Sequence, residues 1–380
     1  MINEKKLILF AFIMLFLTGC WSATEIENHG IVTACGIDLE GDQFKITVHI
    51  VESSNDKQSA GQSNITVLTS TGLTIFDAVR NVITYSPKIL YWGFNQIFVI
   101  NKDVFDKGLS CVTDFLIRDY EIRPTTWIAV TDKKASEILE GTVVSEPITG
   151  MGLDHLFKSQ VKVSKGLTSQ TKELVGAIAN KGQDYACTYL DLKHVDGEKY
   201  IEIMGSALFQ KEQFAGFVDQ KISRGLMLLL SDVKGGITPI DIPKIGYTAL
   251  EIISSSCIIR PQIKNNQLSF VVQIIIIGSI GEQLAVLNST SKQMWAYLES
   301  LQANQVKNEV IAAIETIKEM GVDPVGFGKI VRATYPSIWS KVENDWYNTF
   351  RSIPVYIEVK SRLRSSGTLL ANLKASKIKK

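Results

Sequence analysis

The stretch that decides the fold is Ala186–Phe209, ACTYLDLKHVDGEKYIEIMGSALF. Two runs rich in β-branched and aromatic residues flank Asp196-Gly197, a dipeptide that supplies the positive backbone angles of a two-residue hairpin turn. A purely alternating α/β chain is not built on antiparallel hairpins, so this stretch argues against a simple doubly wound sheet. Working outward, QFAGFV and SRGLMLLLSD complete a β-rich middle stretch that breaks at Gly235-Gly236.

Upstream, residues 31–50 read as strand, turn and strand, followed by the polar loop SSNDKQSAGQS (53–63). Leu73, Phe76, Val79, Arg80 and Ile83 follow a helical spacing with an apolar face. ILYWGFNQIFVI (89–100) reads as one largely buried strand, Val104–Ile117 as a helix and TWIAVT (126–131) as a strand. Downstream, YTALEIISSSCIIRPQI and LSFVVQIIIIGSIGE flank the turn KNNQ. The run Ile274–Ile277 is far too short to cross a bilayer and reads as a strand buried on both faces. A long amphipathic helix then carries Trp295, Leu298, Leu301, Val310, Ile314 and Ile317 on one face. DPVGFG (323–328) breaks it, a second helix holds Trp339 and Trp346, and IPVYIEVKSRL closes as a strand. The fold class expected is therefore α+β or mixed α/β, in three small units: 20–182, a β-rich 183–245, and 246–375.

The first nineteen residues form a separate unit. Glu4, Lys5 and Lys6 precede an uncharged run from Leu7 to Leu17, the plan of a secretory leader and too short to span a membrane. Leu17-Thr18-Gly19-Cys20 follows directly and resembles the bacterial lipobox, in which the cysteine thiol takes a diacylglyceryl group. Residues 1–19 then read as a lipoprotein signal peptide and Cys20 as the lipid attachment site. Two acyl chains hold a protein stably at a membrane, each buried CH₂ contributing about 0.8 kcal/mol.

Composition excludes more than it selects. Forty basic residues stand against 39 acidic ones, with no basic stripe, so no nucleic-acid partner is expected. Lys374, Lys377, Lys379 and Lys380 read as a solvated tail. Cys35, Cys111, Cys187 and Cys257 are widely scattered and form no small disulfide framework, and whether any pair is not legible. Cys111 and Cys257 lie in apolar patterns and read as small core residues.

No catalytic constellation appears. SxxK occurs six times (Ser54, Ser159, Ser169, Ser231, Ser289, Ser376) without the companion SDN or KTG, which is chance in a chain of this composition. The four histidines (29, 49, 155, 194) have no metal-ligand spacing, and His49, alternating with Val48 and Ile50, is expected to face solvent. No catalytic residue, cofactor or metal is assigned, and an enzyme is not expected.

Five stretches in register resemble one family, the Ger(x)C spore-germination lipoproteins. They are Gly19-Cys20-Trp21 with Gly36-Ile37-Asp38; PKILYWGFNQIFVI with Arg118-Asp119, Glu121-Ile122-Arg123 and Trp127; GSALFQKEQFAGFVDQKISRGLMLLL; and a C-terminal set, Asp323, Gly326, Phe327, Gly328, Pro336, Trp339, Trp346 and Phe350. His29-Gly30 stands where the family has larger apolar residues. The resemblance implies three mixed α/β domains and the role of C subunit of a nutrient germinant receptor. It also implies integral-membrane A and B subunits as partners, a place on the outer face of the spore inner membrane, and a small-molecule germinant bound mainly by another subunit. It supplies no catalytic residue. The competing reading is a solute-binding lipoprotein of an ABC importer, against which the hairpins of residues 186–279 argue.

Overall fold

A computed structural model describes residues 28–51, 65–242, 246–265, 267–283 and 291–365. Cys20, the leader, the polar loop at 53–63 and the lysine tail lie outside the described residues.

The decisive hairpin forms as expected. Strands β8 (Ala186–Val195) and β9 (Glu198–Gln210) pair from Val195↔Glu198 inward, with Asp196 at φ 50° and Gly197 at φ 87°. It does not stand alone. β8 also pairs in parallel with β6 (Trp127–Thr131), at Ala129↔Thr188 and Val130↔Tyr189. One ten-stranded sheet therefore runs across the expected 182/183 boundary, in the order β10-β9-β8-β6-β5-β1-β2-β3 with β4 and β7 off that path. Its further members are β1 (His29–Glu40), β2 (Gln43–Val51), β3 (Ile65–Gly72), β4 (Ile89–Tyr91), β5 (Ile97–Asn101), β7 (Ser169–Gln170) and β10 (Gln213–Asp219). Helices cover the hairpin on both faces: Leu190, Leu192, Ile201 and Ile203 are buried with Ala135, Ile138 and Leu139, and Leu208 with Leu226 and Leu229.

The interior of this sheet is covered on both faces. On β5, Phe98 and Ile100 join one apolar cluster while Ile97 and Val99 join another. That two-sided burial corrects the reading of His49: β2 is an interior strand, residues 46–50 are all buried, and His49 is 4% exposed. Burial pushes its imidazole pKa down.

Other expectations shift for local reasons. Residues 89–100 are two strands separated by a turn of 3₁₀ helix at Trp92–Phe94. Residues 104–117 divide at Gly108 into a 3₁₀ stretch (Lys102–Lys107) and helix α2 (Ser110–Arg118). In helix α1 (Ile75–Asn81), Thr74 caps by accepting from Asp77 N at 3.0 Å, which sets the helical phase. Ile75, Ala78 and Val79 then face inward, and Leu73, Phe76 and Ile83 face out. SRGLMLLLSD belongs to a helix, α6 (Gln220–Leu229), after α3 (Ala135–Leu139), α4 (Thr149–Val163) and α5 (Thr171–Ala179).

The second sheet has four strands, β11 (Ile237–Ile242), β12 (Gly246–Lys264), β13 (Gln267–Gln283) and β14 (Val355–Ser365), in that order. The residues of β11 fall within the expected middle unit 183–245, but the strand pairs with β12, so hydrogen bonding crosses 245/246 as well. The long helix forms as α7 (Lys292–Met320), burying Leu298, Val306, Val310, Ile314 and Ile317. The expected second helix is three short ones, α8 (Phe327–Thr334), α9 (Pro336–Val342) and α10 (Trp346–Ser352). Ile274 and Ile276 are buried beneath this layer, but Ile275 is 44% exposed. The strand is thus covered on one face only, because all these helices lie on the same side.

Candidate functional site

The described residues bring the C-terminal pattern together with a segment the sequence gives no reason to single out. Asp323 follows α7 and is 1% exposed. Its Oδ1 accepts from the backbone N–H of Gly326 (2.8 Å) and Phe327 (2.9 Å), and its Oδ2 from Gly328 N–H (2.8 Å) and the Trp346 indole (3.0 Å). One carboxylate therefore satisfies the opening N–H groups of α8 and pins α10.

The same residue reaches the first sheet. Asp184, just before β8, donates its N–H to Asp323 O (2.9 Å) and accepts from Asp323 N–H at Oδ2 (2.7 Å). Its Oδ1 takes Lys211 N–H (2.9 Å) and the Tyr347 hydroxyl (2.8 Å). Alongside, Lys329 N–H donates to Gly182 O at 2.7 Å. Gly182 sits at φ 85°, and a Cβ there would lie 2.7 Å from Lys329 N. Gln210 Nε2 donates to Gly321 O at 2.6 Å. The two sheets are joined by a buried carboxylate clamp.

Burial pushes the Asp323 carboxyl up to about 6; the backbone N–H groups oppose that shift and the charge of Asp184 adds to it. Burial likewise raises Asp184, against its hydrogen bonds from Lys211, Asp323 and Tyr347. Beside the clamp a cleft of about 390 Å³ is walled by Trp339, Trp346, Tyr347, Asp184 and Lys211, with the Lys181–Glu343 ion pair at 2.7 Å. Each hydrogen bond named here joins one part of the fold to another.

The remaining patterned residues do comparable work. Asp38 accepts from Ala135 N–H (2.6 Å) and Ser136 N–H (3.1 Å), closing the first turn of α3. Glu121 accepts from Trp92 N–H at 3.0 Å, and the Arg123 guanidinium lies 5.1 Å from the Phe94 ring centre. Trp127 donates its indole N–H to Asp154 at 2.9 Å. Ser206 Oγ accepts from Leu167 N–H at 2.9 Å. Arg224 meets Glu309 at 3.2 Å, and next to it Gly225 lets α6 pass α7, where a Cβ would lie 2.6 Å from Glu309 O.

Cys35 and Cys187 are free and fully buried, with thiol pKa values pushed up by burial; Cys111 is pushed up to about 11 and Cys257 to about 12 for the same reason. Among the described residues no group of three or more His, Cys, Asp and Glu is placed to hold a metal. No helix among them is long and apolar enough to cross a membrane. Cys20, the one residue assigned a site from the sequence, lies outside them. Missed altogether were Gly182, Asp184 and Tyr347.

Two sheets of mixed α/β structure joined by a buried carboxylate clamp define the class of protein. Residues 22–192 match the spore germination protein N-terminal domain, and residues 204–367 match the spore germination B3/GerAC-like C-terminal domain. The chain belongs to the Ger(x)C family of spore germination proteins. It is 22% identical to spore germination protein B3 of Bacillus subtilis (strain 168) over 379 residues, 97% of this chain and 99% of that one. It is 20% identical to spore germination protein GerQC of Bacillus cereus over 367 residues, covering 96% and 99%. The crystal structure of the GerBC protein superposes with a TM-score of 0.55 at 17% identity, over 87% of this chain and 96% of that chain, so the fold is shared.

Proposed function

We propose that this chain is the lipid-anchored C subunit of a nutrient germinant receptor, required for receptor assembly and signalling and turning over no substrate. The observation that carries the reading is how the polar side chains of the matching stretches and of the clamp are used. Asp38, Glu121, Asp184, Asp323 and Trp346 each close a backbone end or join one layer to another, which suits a rigid assembly part rather than a reaction centre. Membership of a spore germination family supports the process, and the lipobox at Cys20 supports attachment to membrane lipid. On this reading the partners are the integral-membrane A and B subunits, and the germinant is bound mainly by one of them. The protein sits on the outer face of the spore inner membrane. The solute-binding reading is not favoured, since both halves match spore germination domains.

The test is purification of the tagged protein from spore membranes in mild detergent. Recovery of two multi-spanning subunits encoded beside it is the expected result. Recovery with an ATPase and a permease overturns the reading.

A further inference from the structure

Among the described residues, Phe76 on α1 and Ile83 just beyond it turn outward. Around the start of β1, beside His29, lies a cleft of about 350 Å³ bordered by Phe76, Ile83, Ile89 and Tyr120. Phe76 and Ile83 are each 46% exposed, Ile89 is 40% exposed and Tyr120 93%. Two cations of the neighbourhood lie on aromatic rings, Arg80 at 4.8 Å from the centre of Phe76 and Arg123 at 5.1 Å from that of Phe94. Of the neighbouring acids, Glu121 accepts from Trp92 N–H, Asp119 from Glu121 N–H and Asp77 from Leu73 N–H, while the exposed Asp114 is paired with Arg118 at 2.7 Å. The patch itself is aromatic and aliphatic tips with guanidinium groups beside them. This is the composition that settles in the headgroup zone of a bilayer, where amphipathic rings and long cationic side chains each keep one end dry and one end wet.

The position of the patch names its occupant. His29 lies nine residue steps beyond Cys20. At full stretch they span about 30 Å, and as a flexible chain about 15–18 Å on average. An acyl chain on Cys20 therefore holds this face, and not the far sheet, within reach of the lipid. We propose that the Phe76–Ile83–Ile89–Tyr120 patch rests on the membrane surface and fixes which side of the protein faces the bilayer. The proposal rests on Cys20 being lipidated, as read above.

The experiment uses the mature protein reconstituted into vesicles of phosphatidylcholine and phosphatidylglycerol. The photo-crosslinker p-benzoyl-phenylalanine replaces Tyr120 or, as control, Tyr356, which is 59% exposed on the second sheet. Irradiation is expected to give severalfold more lipid adduct at 120 than at 356, and a second substitution, Phe76→Glu, is expected to reduce the adduct at 120. Both positions are exposed enough that folding is not at stake, and the circular dichroism spectrum checks it. Equal adduct at 120 and 356 overturns the proposal. So does a crosslink from 120 to a receptor subunit in spore membranes without lipid adduct, which gives the patch to a protein partner. The intact mass of the mature chain reads the acyl group on Cys20 separately, so failure of the anchor and failure of the patch are told apart.

Discussion

Replacing Asp323 by Ala tests whether the clamp holds the two sheets together. The substitution leaves four donors without their acceptor: the N–H groups of Gly326, Phe327 and Gly328, and the Trp346 indole. At the low end of the range for hydrogen bonds to a charged group, about 1.5 kcal/mol each, the gross loss is about 6 kcal/mol. Against it stands the cost of keeping a buried carboxylate ionised. Burial raises that carboxyl to about 6 even though the backbone N–H groups oppose the shift, so the desolvation cost offsets a sizeable part of the gross gain, and Ala removes it. The net expectation is a destabilisation of about 3 kcal/mol at pH 7. The pH dependence has a definite sign. Because the folded pKa is raised, the native state binds the proton more tightly than the unfolded chain. The group's stabilisation is complete below about 3.8 and is lost as pH rises through about 6. Integrating between those values, wild type gains on the order of 1 kcal/mol on going from pH 7 to pH 5, and the Ala variant does not. Asp184 is present in both proteins and cancels to first order. The assay is urea unfolding of the chain from Trp21 onward, followed by tryptophan fluorescence at both pH values. A gap between the two proteins that is below 1 kcal/mol, or that narrows at pH 5, refutes the clamp as described.

Three further outcomes are expected. Gly225→Ala puts a methyl 2.6 Å from Glu309 O and forces α6 off α7, costing about 1–3 kcal/mol in the same unfolding assay; an unchanged urea midpoint speaks against close helix contact there. Cys20→Ala prevents lipid attachment and lowers membrane retention, because the acyl chains that hold the mature protein are gone. Radiolabelled palmitate incorporated as in wild type shows another residue to be modified. Deleting four residues of the 21–28 segment impairs germination more than replacing them with Gly/Ser at constant length, since a tether acts through its reach. A failing Gly/Ser variant beside a normal deletion makes the segment a specific contact.

What the sequence makes legible follows from the range of each signal. The Asp196-Gly197 turn, the amphipathic face of α7 and the closing strand β14 each declare themselves within a few to thirty residues, and each forms where expected. Burial that depends on a distant layer does not declare itself. His49 and Ile275 both sit in strands, yet one is enclosed and the other open, because helices cover both faces of the first sheet's interior and only one face of the second. The clamp divides the same way. Asp323 and Trp346 stand out in a local pattern, whereas Asp184 acts on Asp323 across 139 positions and on Tyr347 across 163. A lone Asp in NKGQDYAC looks like surface charge until chain topology brings β8 beside the end of α7. Once there, the geometry leaves it little freedom: both of its carboxylate oxygens and its N–H are taken. Asp184→Asn keeps the size but turns one acceptor into a donor facing donors, either Lys211 N–H and Tyr347 or Asp323 N–H. The expected cost is about 1–3 kcal/mol, the penalty of an unmet buried partner. A neutral result would mean that the Asp184 carboxylate does not hold the two sheets together.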